Sequence, residues 1–204
     1  MLHPFIRLIE QRVSANQFDA SHRLTDPEIG ELVRLATRAP TAYNLQNWRF
    51  IAVRTPEAKA RLRQQAYGQA KVSEAAVTFI ICGQWPDHIA LADRLRPFVE
   101  AGYMPQNMAS DWQENVRVQY AKPHAARDEA IRSATLGAAT LMYAAEAMNL
   151  ASGLLGGFDA DAVTREFGLA QNEMPVMLLA VGHAAQDNWP QKPRRPLSEV
   201  LEIS

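Results

Sequence analysis

The chain has 204 residues, 48% hydrophobic and 21% charged, a balance that supports a packed core and excludes the weakly hydrophobic, highly charged make-up of a disordered chain. Its 21 lysines and arginines against 22 acidic residues leave a formal net charge of -1, which removes the broad basic field of a general nucleic-acid binder and confines any anion site to a small cluster. The single cysteine, Cys82, excludes a disulfide framework within one chain, and its place in VTFIIC marks it as a buried hydrophobe.

No linker breaks the sequence, so one domain over residues 1–204 is expected. The opening MLHPFIRLIEQR interrupts its apolar residues with Arg7, Glu10 and Arg12, unlike a secretory signal, and a cytoplasmic location is expected. Residues 4–12 suggest a short helix running into RVSANQFD. Thr25, Asp26, Pro27 and Glu28 form a capping-box start for a helix carrying Ile29, Leu32, Val33 and Ala36, which must stop before Pro40. APTAYNLQNWRF at 39–50 then crowds Tyr43 and Trp48 together with Asn44, Gln46 and Asn47. Its plainest reading is a turn flanked by core aromatics.

WRFIAV at 48–53 reads as a strand, Thr55 and Pro56 begin a helix with Leu62 and Ala66 on one face, and VTFIIC at 77–82 is a fully apolar strand. Residues 86–123 hold Phe98, Tyr103, Trp112 and Tyr120 without a clear period, so helical pieces and a mobile connection are expected. From 126 to 150 the pattern is helical and rich in alanine; Glu146 and Asn149 make it a buried central helix rather than a membrane span. ASGLLGGFD at 151–159 reads either as the turn leaving that helix or as backbone that lets a flat ligand approach. Asp159 caps a short helix ended by Gly168, and VMLLAV at 176–181 is a buried strand. Few strands in irregular alternation with helices favour an α+β fold, a small mixed sheet covered by helices.

No dinucleotide fingerprint, Walker sequence, nucleophile elbow or zinc-protease motif occurs, and no metal site is expected. Arg12 with Ser14 and the KPRRP segment with Lys192, Arg194 and Arg195 are the two candidates for a phosphate site, since a hydroxyl and guanidinium groups suit phosphate oxygens. Taken singly, each also reads as a solvated basic residue.

Five segments in one order change that reading. RVSANQF, APTAYNLQNWRF, MNLASGLLGGFD, PVMLLAVGH and KPRRPLSEV resemble segments of the FMN-dependent nitroreductase family. The resemblance implies a nitroreductase-like homodimer with flavin sites at its interface and a C-terminal segment extending onto the partner subunit. It implies FMN held by Arg12, Val13, Ser14, Asn16, Gln69, Leu154, Leu155, Gly156, Gly157, Lys192 and Arg194, with Pro40, Thr41, Ala42 and Asn44 reaching across from the partner. The activity implied is NADH- or NADPH-driven reduction of nitroaromatics, quinones or similar acceptors, with no catalytic side chain because the flavin carries the chemistry. A flavin-binding storage or sensing protein of the same fold is the alternative, as is a member acting on its own special substrate. Asn16 and Val13 stand where the family is commonly basic, and Asn47 where it has proline.

Overall fold

A computed structural model describes residues 3–204, and its centre is a four-stranded sheet. The strands are β1 (Trp48–Val53), β2 (Val77–Gln84), β3 (Ala151–Leu155) and β4 (Glu173–Gly182), in the order β1-β2-β4-β3. All three pairings are antiparallel, so the sheet is not mixed as its sequence suggests; the parallel element is an isolated bridge from Ser14 to Ser152. A register shift between Ile81 and Cys82 falls opposite Pro175, which has no amide hydrogen to give to the ladder.

Among the described residues eight α-helices surround the sheet: α1 (Pro4–Gln11), α2 (Asp26–Ala36), α3 (Pro56–Gln65), α4 (Lys71–Glu74), α5 (His88–Glu100), α6 (Gln106–Gln119), α7 (Pro123–Ala147) and α8 (Ala160–Glu166). The period of two along β2 divides the core. Phe79 and Ile81 join Leu179 and Val181 under α2 and α7, while Ile80 and Cys82 join Leu178 and Ala180 under α3, α4 and α8. Both faces are covered, which is why β2 reads as an unbroken apolar run. Burial pushes the Cys82 thiol up to about 12, as expected of an inert core residue. The small residues of α7 let it approach the sheet closely: a side chain added at Gly137 would meet the Phe50 ring at 3.0 Å.

Local signals explain the helix starts. The Thr25 hydroxyl accepts from the Glu28 amide, and the Glu28 carboxylate accepts from the Thr25 amide at 2.8 Å, completing the expected capping box. The helical pieces expected over residues 86–123 are present, joined by a turn at 101–105 rather than by a long irregular connection. They form two well-defined helices, α5 and α6, packed on each other through Leu91, Leu95, Ala109 and Val116 as a third core cluster with Leu45 and Tyr120. ASGLL also differs: it is the edge strand β3, and the chain turns earlier, at Asn149, whose φ is +58°. Among the described residues no helix is long and apolar enough to cross a membrane.

Candidate anion and ring-binding site

The segment after α1 lies along β3. Ala15 donates its amide to the Ser152 carbonyl at 2.9 Å, and Gly153 is required for this contact, because a Cβ there would sit 2.3 Å from the Ala15 carbonyl oxygen. The edge of the sheet therefore positions Arg12, Ser14 and Asn16. The chain after β4 closes on the same place. The Asn188 side-chain oxygen accepts from the Asn16 amide at 2.7 Å, Gln191 donates its amide nitrogen to the Arg12 carbonyl at 3.1 Å, and Arg194 donates to the Gln191 side chain at 2.8 Å. Both basic segments are thus brought into one cluster.

A fourth cation joins them. Lys71, at the start of α4, has its pKa lowered first by burial and then by the charge of Lys192. Among the described residues none of Arg12, Lys71, Lys192 and Arg194 has a carboxylate partner. Like charges held together without a counter-ion are unfavourable, and a bound anion removes the cost. Lys71 carries no motif of its own; the only hint in the sequence is its position two residues after Gln69.

Gln69 bridges this cluster to the end of β3. It donates its side-chain nitrogen to the Gly157 carbonyl at 2.8 Å and the Ala66 carbonyl at 3.1 Å, which leaves its carbonyl oxygen as an acceptor. Gly156 has open space where a side chain would lie, and neither Gly156 nor Gly157 has positive φ, so access rather than turn geometry suits glycine here. Leu154 is part-exposed, but the Leu155 side chain belongs to the core, leaving only its backbone for a ligand. Val13 is half-buried beside Ser14. Two polar atoms nearby, Asn16 Nδ2 and Ser152 Oγ, are buried without a hydrogen-bond partner.

The 39–50 loop is not part of this cluster in the same chain. Tyr43 packs edge-on to Trp112 at 5.6 Å and donates its hydroxyl to Gln119 at 3.0 Å, fastening the loop to α6. Trp48 is buried, Asn47 donates to the Gln84 carbonyl at 2.8 Å, and Ala42 packs on the α5–α6 core. Pro40 and Asn44 remain exposed, with Thr41 half-exposed. Tyr43, Asn44 and Gln46 all have φ between +46° and +58°, a density of strained non-glycine residues that ordinary turns do not need.

The Nitroreductase family model matches residues 9–183. The chain belongs to the Nitroreductase family. The chain is 30% identical over 193 residues to a Bacillus subtilis protein named for NAD(P)H nitroreductase activity, YodC, covering 95% of each chain. It is 27% identical over 206 residues to the oxygen-insensitive NAD(P)H nitroreductase of Enterobacter cloacae, covering 94% of this chain and 95% of that protein. It is also similar to a crystal structure of a nitroreductase from Exiguobacterium sibiricum in complex with FMN. There the TM-score is 0.89 at 25% identity, over 100% of this chain and 99% of the other.

Proposed function

We propose that this member of the family is an FMN-dependent oxidoreductase that takes electrons from NADH or NADPH and passes them to nitroaromatic, quinone or similar acceptors. The observation that carries FMN rather than a phosphate-free flavin is the group of four cations without a carboxylate partner among the described residues. Arg12, Ser14, Lys71, Lys192 and Arg194 would hold the phosphate, each charge-assisted hydrogen bond contributing about 1.5–3 kcal/mol. The unpartnered Asn16 Nδ2 and the free oxygen of Gln69 match the carbonyl and imide edge of a pyrimidine ring. Backbone at Leu154, Leu155, Gly156 and Gly157 would line the ring. When bound, the flavin would supply the hydride-transfer chemistry between nicotinamide and acceptor, while these residues hold and orient it, so no side chain is assigned as acid or base.

The loop at Pro40, Thr41, Ala42 and Asn44 is assigned to the flavin of a second copy, since it lies outside its own chain's cluster. A homodimer is supported by apolar surface left open on one chain: Phe5 and Ile9 on α1, Leu136 on α7, and Leu197, Leu201 and Ile203 on the tail, which would extend onto the partner. One domain over the whole chain is part of the same proposal.

The test is to load the purified protein with FMN, titrate it anaerobically with NADH and with NADPH, and then add nitrobenzene or a quinone. Bleaching by a nicotinamide and recovery on adding the acceptor is expected. Stoichiometric FMN without turnover would favour a storage or sensing role, and equal affinity for riboflavin would refute the phosphate site. Sedimentation of an FMN-loaded monomer at micromolar concentration would refute the shared interface.

A further inference from the structure

Between α5 and α6 lies a cavity of about 400 Å³, within the size range of small-molecule sites. Its walls include Leu95, Phe98, Met104 and Trp112, and Asn44 of the strained loop stands at one side. Among these apolar walls is Arg94, whose Nη1 is buried without a hydrogen-bond partner. Arg94 takes part in no ion pair among the described residues, and the acidic residue beside it in sequence, Asp93, pairs with Arg96 instead. A guanidinium is always charged, and a shielded N–H without an acceptor is costly. A bound anion would satisfy this N–H.

We propose that this cavity anchors the carboxylate end of the electron acceptor, and that the acceptor is a small aromatic acid. The inference rests on the proposed oxidoreductase function, which sets the adjoining loop against a flavin of the second copy. A single guanidinium suits a monoanion; the phosphate-type dianion is served by the separate cluster at Arg12, Lys71, Lys192 and Arg194. The aromatic walls and the Met104 thioether favour a flat ring over an aliphatic body. Asn44 also lines a second hollow with Pro40, Gln46, Arg34 and Arg38, so the cavity at Arg94 and the loop face share one side chain.

The experiment compares para-nitrobenzoate with its neutral methyl ester on the FMN-loaded protein, by calorimetric binding and by steady-state reduction. The acid should bind at least tenfold more tightly than the ester. Arg94→Met keeps the apolar contacts of the stem and should erase that preference, lowering the acid's affinity about tenfold to a hundredfold. Arg94→Lys, which keeps the charge but not the fork, should retain part of it, and thermal melting of both variants verifies that they are folded. Equal affinity for acid and ester, or a preference that survives Arg94→Met, overturns the anion site. An acid that binds through Arg94 and blocks nitrobenzene reduction without itself being reduced overturns the acceptor role. If neither nitro compound nor nitrobenzene is reduced, the oxidoreductase function fails and the acceptor role with it, while the binding preference still decides the anion site.

Discussion

Gly153→Ala tests whether the edge strand positions the anion site. The added Cβ would lie 2.3 Å from the Ala15 carbonyl oxygen, whereas ordinary contact begins near 3.4 Å, so the segment carrying Arg12, Ser14 and Asn16 must move by roughly 1 Å or β3 must give way. Movement endangers the Ala15–Ser152 hydrogen bond, worth about 1 kcal/mol, and overpacking adds about 1–3 kcal/mol. The expected cost is therefore about 2–4 kcal/mol, divided between stability of the apoprotein and loss of FMN affinity. Urea unfolding of the apoprotein measures the first part, and equilibrium dialysis against FMN measures the second. If Arg12 and Ser14 are displaced, affinity should fall tenfold or more even where the variant remains folded. A folded variant binding FMN within about threefold of the parent would show that the contact does not position the phosphate ligands.

Replacing Lys192 and Arg194 together by alanine should weaken FMN binding by roughly tenfold to a thousandfold while scarcely changing riboflavin binding; an equal effect on both flavins would remove these residues from the phosphate site. Lys71 supplies a pH test. Burial, then Lys192, lowers its pKa in the free protein, and a phosphate beside it would raise the value again. FMN binding should therefore take up protons between the two values, and affinity should fall as pH rises through that window. Calorimetry in two alkaline buffers of different ionisation enthalpy measures this uptake, and Lys71→Gln should abolish it. Uptake unchanged in that variant would assign the proton elsewhere. Asn16→Arg should raise the two-electron potential of bound FMN, at about 30 mV for each 1.4 kcal/mol by which the new charge favours the anionic reduced form. Spectroelectrochemical titration showing a lowered or unchanged potential would mean that residue 16 does not face the pyrimidine edge.

Much of the fold is legible wherever one local pattern determines one element. WRFIAV is a short run rich in β-branched and aromatic residues bounded by turn residues, and Thr25 with Glu28 satisfies two helix-end groups without outside help. Residues 86–123 are less readable because only Leu91 and Leu95 of α5 are buried, while the apolar Ile89 and Phe98 stay exposed and Pro97 interrupts the usual helical signal. Their helices are stabilised by packing on each other, a relation that single-segment periodicity does not carry. β3 was obscured for a similar reason. Its glycine and serine resemble a helix exit, and the need for Gly153 becomes apparent only when Ala15, far away in sequence, is set against it. Lys71 belongs to the site through its proximity to Lys192, and no sequence pattern marks Arg94, whose buried nitrogen has no hydrogen-bond partner.

The two halves of the proposed site are supported by different parts of the molecule. The cofactor half is tied to the edge of the sheet, where Ala15, Gly153 and Asn188 leave little freedom. The loop half depends on α6 and α7. Tyr43 donates to Gln119, Gln119 to the Tyr120 hydroxyl at 3.4 Å, and Tyr120 to the buried Glu129 at 3.1 Å, with Ser133 and Arg132 completing the carboxylate's hydrogen bonds. Three left-handed residues in the loop cost on the order of 1 kcal/mol each or more, so such a conformation persists only where its surroundings over-determine it. That network and the Tyr43–Trp112 contact supply the constraint. Substitutions in the α5–α6 hairpin can therefore reshape the cavity at Arg94 while the sheet edge, and with it the cofactor half, stays as it is. On this division the choice of acceptor changes through α5 and α6, and the ability to hold FMN is lost through β3.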